Sequence, residues 1–183
     1  MKGEKRMKNY ILSIPPKEIA LLSSAIGETL VSMSMFSGET SAYVLQLVLS
    51  DGRLLTICGM GKDVPNDGDV ILDLHSFTVF ESDVDPACAT KIDVGKTIRA
   101  IYVTVASNSS ISWGKRFAFE NLIEIAFDDG TSIYLFADNT LSDSIRLFHS
   151  ESDLRDYAKE DYVFMETKEP DSVITYTRRA LPR

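Results

Sequence analysis

Cysteine and histidine are scarce in this chain of 183 residues, which contains two of each and one tryptophan. Two thiols cannot build a disulfide framework, and no second cysteine pair is present to complete a zinc site. Every apolar run falls short of the roughly 18 residues that a membrane-spanning helix needs. The apolar stretch Tyr10–Ile14 is too short for a secretory signal, because two prolines end it. We therefore expect a cytoplasmic protein with no membrane segment.

Basic residues are also in deficit. Nineteen Lys and Arg stand against 27 Asp and Glu, which gives a net charge of −8 and a sequence pI near 4.8. A field of this sign repels phosphate groups, so nucleic acids and anionic membranes are disfavoured as partners. The excess is uneven: residues 26–93 carry eleven acidic and three basic side chains, whereas residues 94–150 carry six and five.

Two stretches of the chain resemble each other, which predicts an internal duplication. Ile26–Leu30 matches Val94–Ile98 at an offset of 68, and Leu45–Leu49 matches Ile123–Phe127 at an offset of 78. Apolar and polar residues alternate around these matches, the period of a strand with one buried face. The ten extra residues of the second copy fall around Ala106–Phe117, a stretch rich in serine and asparagine that we interpret as an inserted loop.

Each copy has an Asp-Gly pair between two apolar runs, Asp51-Gly52 in the first and Asp129-Gly130 in the second. This pattern is typical of a β-hairpin closed by a type I′ turn, which needs positive φ at both central residues. A third match, at an offset of 74, aligns two runs that each end in His-Ser and so gives the two histidines equivalent positions.

Short helices are expected on both sides of the two copies. Pro15-Pro16 precedes an apolar stretch that ends at Gly27, which is a start and stop pattern for a helix. Ser150 or Ser152 is suited to cap a second helix, and Val173–Thr177 reads as a late strand.

The fold class that we predict is α+β and mostly β. Two internally duplicated antiparallel modules, each a strand, an Asp-Gly hairpin and a fourth strand, would be joined to the short terminal helices. The boundaries that we expect are an N-terminal strand and helix at 1–25, a first β repeat at 26–93, a second β repeat at 94–150, and a C-terminal helix with strands at 151–183. All four segments would form one compact domain.

The acidic side chains of the first copy are concentrated between residues 63 and 85, where no Lys or Arg follows Lys62. Like charges at this density repel, and a basic protein partner would be attracted by their field. The alternative is a solvated, soluble surface. The candidate partner-binding residues are seven acids and the tryptophan: Asp63, Asp67, Asp69, Asp73, Glu81, Asp83, Asp85 and Trp113.

Trp113 is included because it lies in the inserted stretch beside Lys115 and Arg116. Tryptophan and arginine are common anchors of protein interfaces, and long loops often carry function. The alternative is that Trp113 covers the core between the two modules.

Motifs for chemistry are missing from the sequence. The stretch that starts at Asp63 begins like an EF-hand loop, but Pro65 and Leu74 stand where calcium ligands belong. A looser calcium site at Asp67 and Asp69 remains an alternative. No nucleophile elbow and no phosphate-binding glycine loop is present. We therefore predict no catalytic residue, no metal and no cofactor.

A small, acidic, β-rich chain of this kind resembles the immunity proteins with which bacteria neutralise polymorphic toxins. The acidic run from Asp63 to Asp85 and the two Asp-Gly hairpins carry the resemblance. It implies a non-catalytic inhibitor that binds a basic toxin and covers its active site. One alternative is a small-ligand or metal-dependent protein with a site between the repeats, near His75 and His149. Another is a structural module that forms a homo-oligomer, in the simplest case a homodimer.

Overall fold

The computed structural model describes residues 8–36, 41–42, 44–64, 72–82, 90–110, 115–138, 144–157 and 173–183. The helices are α1 (Pro16–Ser23) and α2 (151–157). The strands within these ranges are β1 (Lys8–Leu12), β2 (Thr29–Phe36), β3 (Ser41–Ala42), β4 (Val44–Leu49), β5 (Leu54–Val64), β6 (Leu72–Glu81), β7 (Thr90–Ser110), β8 (Lys115–Phe127), β9 (Ser132–Asp138), β10 (Ser144–Phe148) and β11 (Val173–Ala180). The α+β, mostly β class is confirmed.

The eleven described strands form one sheet in the order β3-β10-β9-β8-β7-β2-β4-β5-β6, with β1 beside β8 and β11 beside β7. The β1–β8 pair is parallel and the other pairs are antiparallel. A single residue separates β3 from β4, yet β3 pairs with β10 while β4 pairs with β2 and β5. The sheet must therefore curl, and accordingly β10 contacts β4 and β5 while β6 contacts β8.

The inner face of the curled sheet carries one hydrophobic core that draws on both halves of the chain. Alternate residues of the strands supply it, as the period-2 patterns predicted. Leu22 of α1 and Leu181, just after β11, also belong to this cluster. Both halves of the chain supply strand residues that are at most 1% exposed: Met33, Leu47, Ile57, Ile101, Ile125 and Leu135.

The pairing registers of the two halves correspond. Leu30 of β2 pairs with Leu49 of β4, and Ile98 of β7 pairs with Phe127 of β8. Ile98 lies 68 residues after Leu30, and Phe127 lies 78 residues after Leu49. The register shift also falls at the same place, directly after Leu30 in one half and after Ile98 in the other. These offsets are those of the sequence matches.

The strand pairing between the two halves is approximately two-fold symmetric. β2 and β7 pair with each other and place Thr29 opposite Thr97, with their hydroxyl oxygens 3.4 Å apart. These two threonines are themselves equivalent positions of the two halves. Descent from a duplicated unit stays a prediction, as do the boundaries of the four segments, one of which falls inside β7.

The two hairpins lie where Asp-Gly predicted them, but the turn type was wrong. The N–H of Gly52 donates to the carbonyl of Leu49 at 3.1 Å, and the N–H of Leu49 donates to the carbonyl of Arg53 at 3.0 Å. The glycine is therefore the fourth residue of the turn and not a central one. The second turn has the same two bonds, and Gly52 and Gly130 have φ of +88° and +84°. Each loop is thus a three-residue connection with a left-handed glycine.

The serine-rich insertion is largely strand and not loop, which corrects the interpretation of Ala106–Phe117. β7 continues to Ser110, β8 begins at Lys115, and the two strands stay paired between these ends. β1 and β11 pair with the outer sides of this extension, so its backbone groups have partners on both sides. We call this four-stranded extension, composed of β1, 115–120, 105–110 and β11, the wing.

The histidine alignment at offset 74 is also wrong. Phe80 of β6 and Phe148 of β10 occupy equivalent positions in the pairing. Their partners on β5 and β9 lie 78 residues apart, which is the offset between those two strands. The offset for this strand is therefore 68, and His75 and His149 are not equivalent. His75 is 8% exposed, whereas His149 lies just after β10 and is exposed.

Candidate binding surfaces

β5 and β6 form a long hairpin that brings two of the predicted site residues together. Asp63 lies directly opposite Asp73 in the register, while the neighbouring Lys62 is paired with Leu74. Like charges at directly opposite positions of an antiparallel pair destabilise the sheet. The register therefore places two acidic residues at directly opposite positions of this hairpin.

Glu81, the one other predicted site residue within the described ranges, does not lie at that end. Glu81 is exposed at the far end of β6, where it pairs with Leu55. Glu81 lies eight positions after Asp73 along β6, which corresponds to about 26 Å of strand. Five of the predicted residues lie outside the described residues: Asp67, Asp69, Asp83, Asp85 and Trp113.

Within the described ranges, no three His, Cys, Asp or Glu side chains are grouped to hold a metal ion. The Nε2 atom of His75 is buried with no hydrogen-bond partner among those residues. Burial raises the pKa of the Cys58 thiol, which favours its protonated form, and Cys88 is outside the described residues.

A row of charged pairs that the sequence analysis missed crosses the base of the wing. Two glutamates of β8 reach across β7 to two consecutive arginines of β11. Arg178 donates to Glu124 through two hydrogen bonds of 2.8 and 3.0 Å, and its guanidinium lies 3.3 Å from the ring centroid of Tyr102. The Glu124 carboxylate raises the pKa of Arg178. Arg179 donates to Glu120 at 2.6 Å.

Two buried carboxylates fasten the N-terminal segment to the sheet. Glu120 also accepts the backbone N–H of Ile14 at 2.7 Å. Glu18 of α1 accepts the N–H of Val79 at 2.8 Å and the hydroxyl of Thr78 at 3.1 Å. Each carboxylate therefore supplies acceptors to donors that are distant in sequence. The one local signal for Glu18 was its place in the first turn of a helix that starts at prolines.

Asp129, at the tip of the second hairpin, is held by neighbouring donors. Its carboxylate pairs with Lys96 at 2.8 Å and accepts the hydroxyl and N–H of Thr131 at 2.6 and 2.9 Å. The bond from Lys96, followed by those from Thr131, holds the pKa of Asp129 well below its usual range. The ionised form is therefore favoured in the folded chain.

Asp129→Asn should remove a contribution to stability that depends on pH. A carboxyl whose pKa is lowered by folding stabilises the protein above its unfolded pKa, and this contribution fades as the pH falls towards the folded pKa. We expect the variant to be less stable than the wild type at pH 7 and the difference to shrink below about pH 4. Urea unfolding across pH measures it. Asp128→Asn, at the exposed neighbouring position, is the control, and a difference that stays constant with pH would contradict the assignment.

Comparisons with protein-family models, with curated proteins and with solved structures found no match for this chain. Among the described helices, none is long and apolar enough to cross a membrane.

Proposed function

We propose that this chain is a non-catalytic binding protein whose acid-rich β5–β6 hairpin receives a basic protein partner. The observation that supports the proposal is the register of Asp63 opposite Asp73 within a stretch, 63–90, that contains no Lys or Arg. Opposed carboxylates cost stability in the free protein. A cationic surface relieves that repulsion on binding, so the same residues that weaken the free hairpin strengthen the complex.

The partner class that we propose is a basic toxin neutralised in the cytoplasm. An acidic surface accelerates encounter with a basic protein and repels nucleic acid, which would compete for a basic nuclease. Inhibition requires only that the bound chain covers the active site of the toxin. No catalytic group is needed on the inhibitor.

Charge reversal of the opposed acids tests the proposal. The double variant Asp63→Lys/Asp73→Lys changes the net charge from −8 to −4. The matched control is Asp128→Lys/Asp153→Lys, which has the same net charge but alters exposed positions in the second half of the chain. A difference between the two variants therefore reports position and not total charge.

The tagged variants are used to isolate a partner from the native host, and its affinity is then measured with purified components. We expect a basic partner that binds the wild type and the control with similar affinity and binds the Asp63→Lys/Asp73→Lys variant about 100-fold more weakly. Raising the salt from about 50 to about 300 mM should weaken the wild-type complex. An affinity that is unchanged in the double variant would remove the hairpin from the interface.

A further inference from the structure

A cleft of about 390 Å³ lies between α1 and the residues that follow β11. This volume is within the range of pockets that hold small molecules in proteins. The first wall of the cleft is one face of α1, and the second is the segment after β11. The walls contain Pro16, Ile19, Ala20 and Ser23 on the helix and Pro182 and Arg183 on the segment. The cleft is therefore formed only when two distant parts of the chain come together.

α1 has two faces, and the second one is directed at this cleft. Glu18 and Leu22 are buried on the first face, which meets the sheet and the core. The four cleft residues of α1 have the spacing i, i+3, i+4, i+7 and so share the opposite side of the helix. Three of their four side chains are apolar, those of Pro16, Ile19 and Ala20. α1 therefore presents an apolar surface to the cleft in addition to the one that it presents to the core.

Hydrogen bonds and burial fix both walls of the cleft. Arg53 donates to the hydroxyl and carbonyl oxygens of Ser24, directly after α1, at 2.6 and 3.0 Å. On the other side, Leu181 is 5% exposed and donates its N–H to the carbonyl of Ile101 at 2.8 Å. This anchor holds the residues after it beside the helix. The shape of the cleft is therefore set by the fold itself, as is usual for sites that bind small molecules.

Two polar groups of the cleft favour an anion. Arg183 donates one N–H to the carbonyl of Arg99 at 3.3 Å, and a guanidinium has five such donors. The Oγ atom of Ser23 is buried and has no hydrogen-bond partner among the described residues, although Ser23 lines the cleft. Buried hydroxyls are rarely left without a partner in folded proteins, so this one calls for a ligand or a water molecule. A carboxylate accepts hydrogen bonds from a guanidinium and from a hydroxyl.

We propose that this cleft binds an aliphatic monocarboxylate. The carboxylate would accept hydrogen bonds from Arg183 and Ser23, and the hydrocarbon chain would lie against the apolar face of α1 and Pro182. Arg183 is the one charged side chain among the described residues of the two walls, so it matches a single negative charge and disfavours a cation. The cleft shares no residue with the β5–β6 hairpin, so failure of this proposal leaves the proposed protein partner intact, and the reverse also holds.

Titration of the nitrogen-labelled full chain with octanoate, followed by NMR, tests the site. Three analogues separate the parts of this probe: acetate has the charge alone, octanol has the chain alone, and octylammonium has the opposite charge. We expect octanoate to shift the amide signals of Ala20, Ser23 and Arg183 in a saturable way, with a dissociation constant on the order of 1 mM. Each analogue should bind at least about tenfold more weakly, because it lacks the apolar contact or the charge-assisted hydrogen bonds.

Three variants locate the binding. Arg183→Gln should weaken octanoate about tenfold and leave octanol unchanged, whereas Ala20→Phe, at an exposed position, fills the cleft and should weaken both. Arg116→Gln makes the same change of charge at an exposed position of the wing and should behave as the wild type. A wild type without saturable shifts up to about 20 mM octanoate overturns the proposal. So does octanol or octylammonium that binds as tightly as octanoate, or an Arg116→Gln variant as weak as Arg183→Gln. If Ala20→Phe fails to fold, the two arginine variants decide.

Discussion

Glu120→Ala should lower the free energy of unfolding by about 3 kcal/mol. Glu120 is 5% exposed, and its carboxylate accepts the N–H of Ile14 and a guanidinium hydrogen of Arg179. Alanine leaves the Ile14 N–H without its acceptor, and Ile14 itself is only 3% exposed. The loss comes mainly from the buried Ile14 N–H, because the side chain of Arg179 is 41% exposed and can be solvated by water. Urea unfolding at neutral pH measures the loss.

Glu124→Ala is the matched control, since Glu124 lies on the same strand and binds the adjacent arginine of β11. The side chain of Arg178 is 50% exposed, so water can solvate it when the carboxylate is removed. We expect a loss below about 1 kcal/mol, which decreases further at high salt. Equal losses for the two alanine variants would mean that the bond from the Ile14 N–H to Glu120 adds no stability beyond that of the ion pair.

Glu18→Ala is expected to have a similarly large effect, a loss of about 3 kcal/mol. Glu18 is 9% exposed and joins α1 to the outer edge of β6 through Val79 and Thr78. Val79 is 2% exposed, so its N–H would be left buried without an acceptor. The loss should appear in thermal and urea unfolding. Because the variant also frees a strand edge, it should aggregate more readily during heating.

Two neighbouring substitutions separate these effects from helix propensity. Glu18→Gln keeps a carbonyl oxygen for the Val79 N–H and should lose about 1 kcal/mol. Lys17→Ala changes an exposed residue of the same helical turn and should be nearly neutral. If Glu18→Ala were as mild as Lys17→Ala, the carboxylate would not fasten α1 to β6.

The features that could be predicted from the sequence have local causes. The prolines at 15 and 16 set the start of α1, and Gly27, with φ of +98°, follows its end. The hydroxyl of Ser150 accepts the N–H of Asp153 at 3.1 Å, as expected of a helix cap. Both hairpins were placed by Asp-Gly, because a left-handed glycine is needed within a few residues of the turn whatever the rest of the fold does.

Apart from the turn type of the two hairpins, the errors concern features that depend on distant strands. Residues 106–110 and 115–117 read as loop by composition, but β1 and β11 pair with the outer sides of these two segments and make them strand. The histidine match followed local similarity, whereas the actual offset was set by pairing with β5 and β9. Of the candidate site, the acidic run could be read from the sequence. The opposition of Asp63 and Asp73 could not, since it depends on the β5–β6 register.

The sequence by itself determined which residues face the core, where the hairpins lie and where the acidic charge is concentrated, because periodicity, turn chemistry and net charge are properties of neighbouring residues. The tertiary structure alone decided which carboxylates are buried. Glutamate is ordinarily exposed, and Glu18 and Glu120 are buried only because the curled sheet brings them donors 61 and 106 residues away. A buried charge needs such partners, and no pattern along the chain reveals where they are.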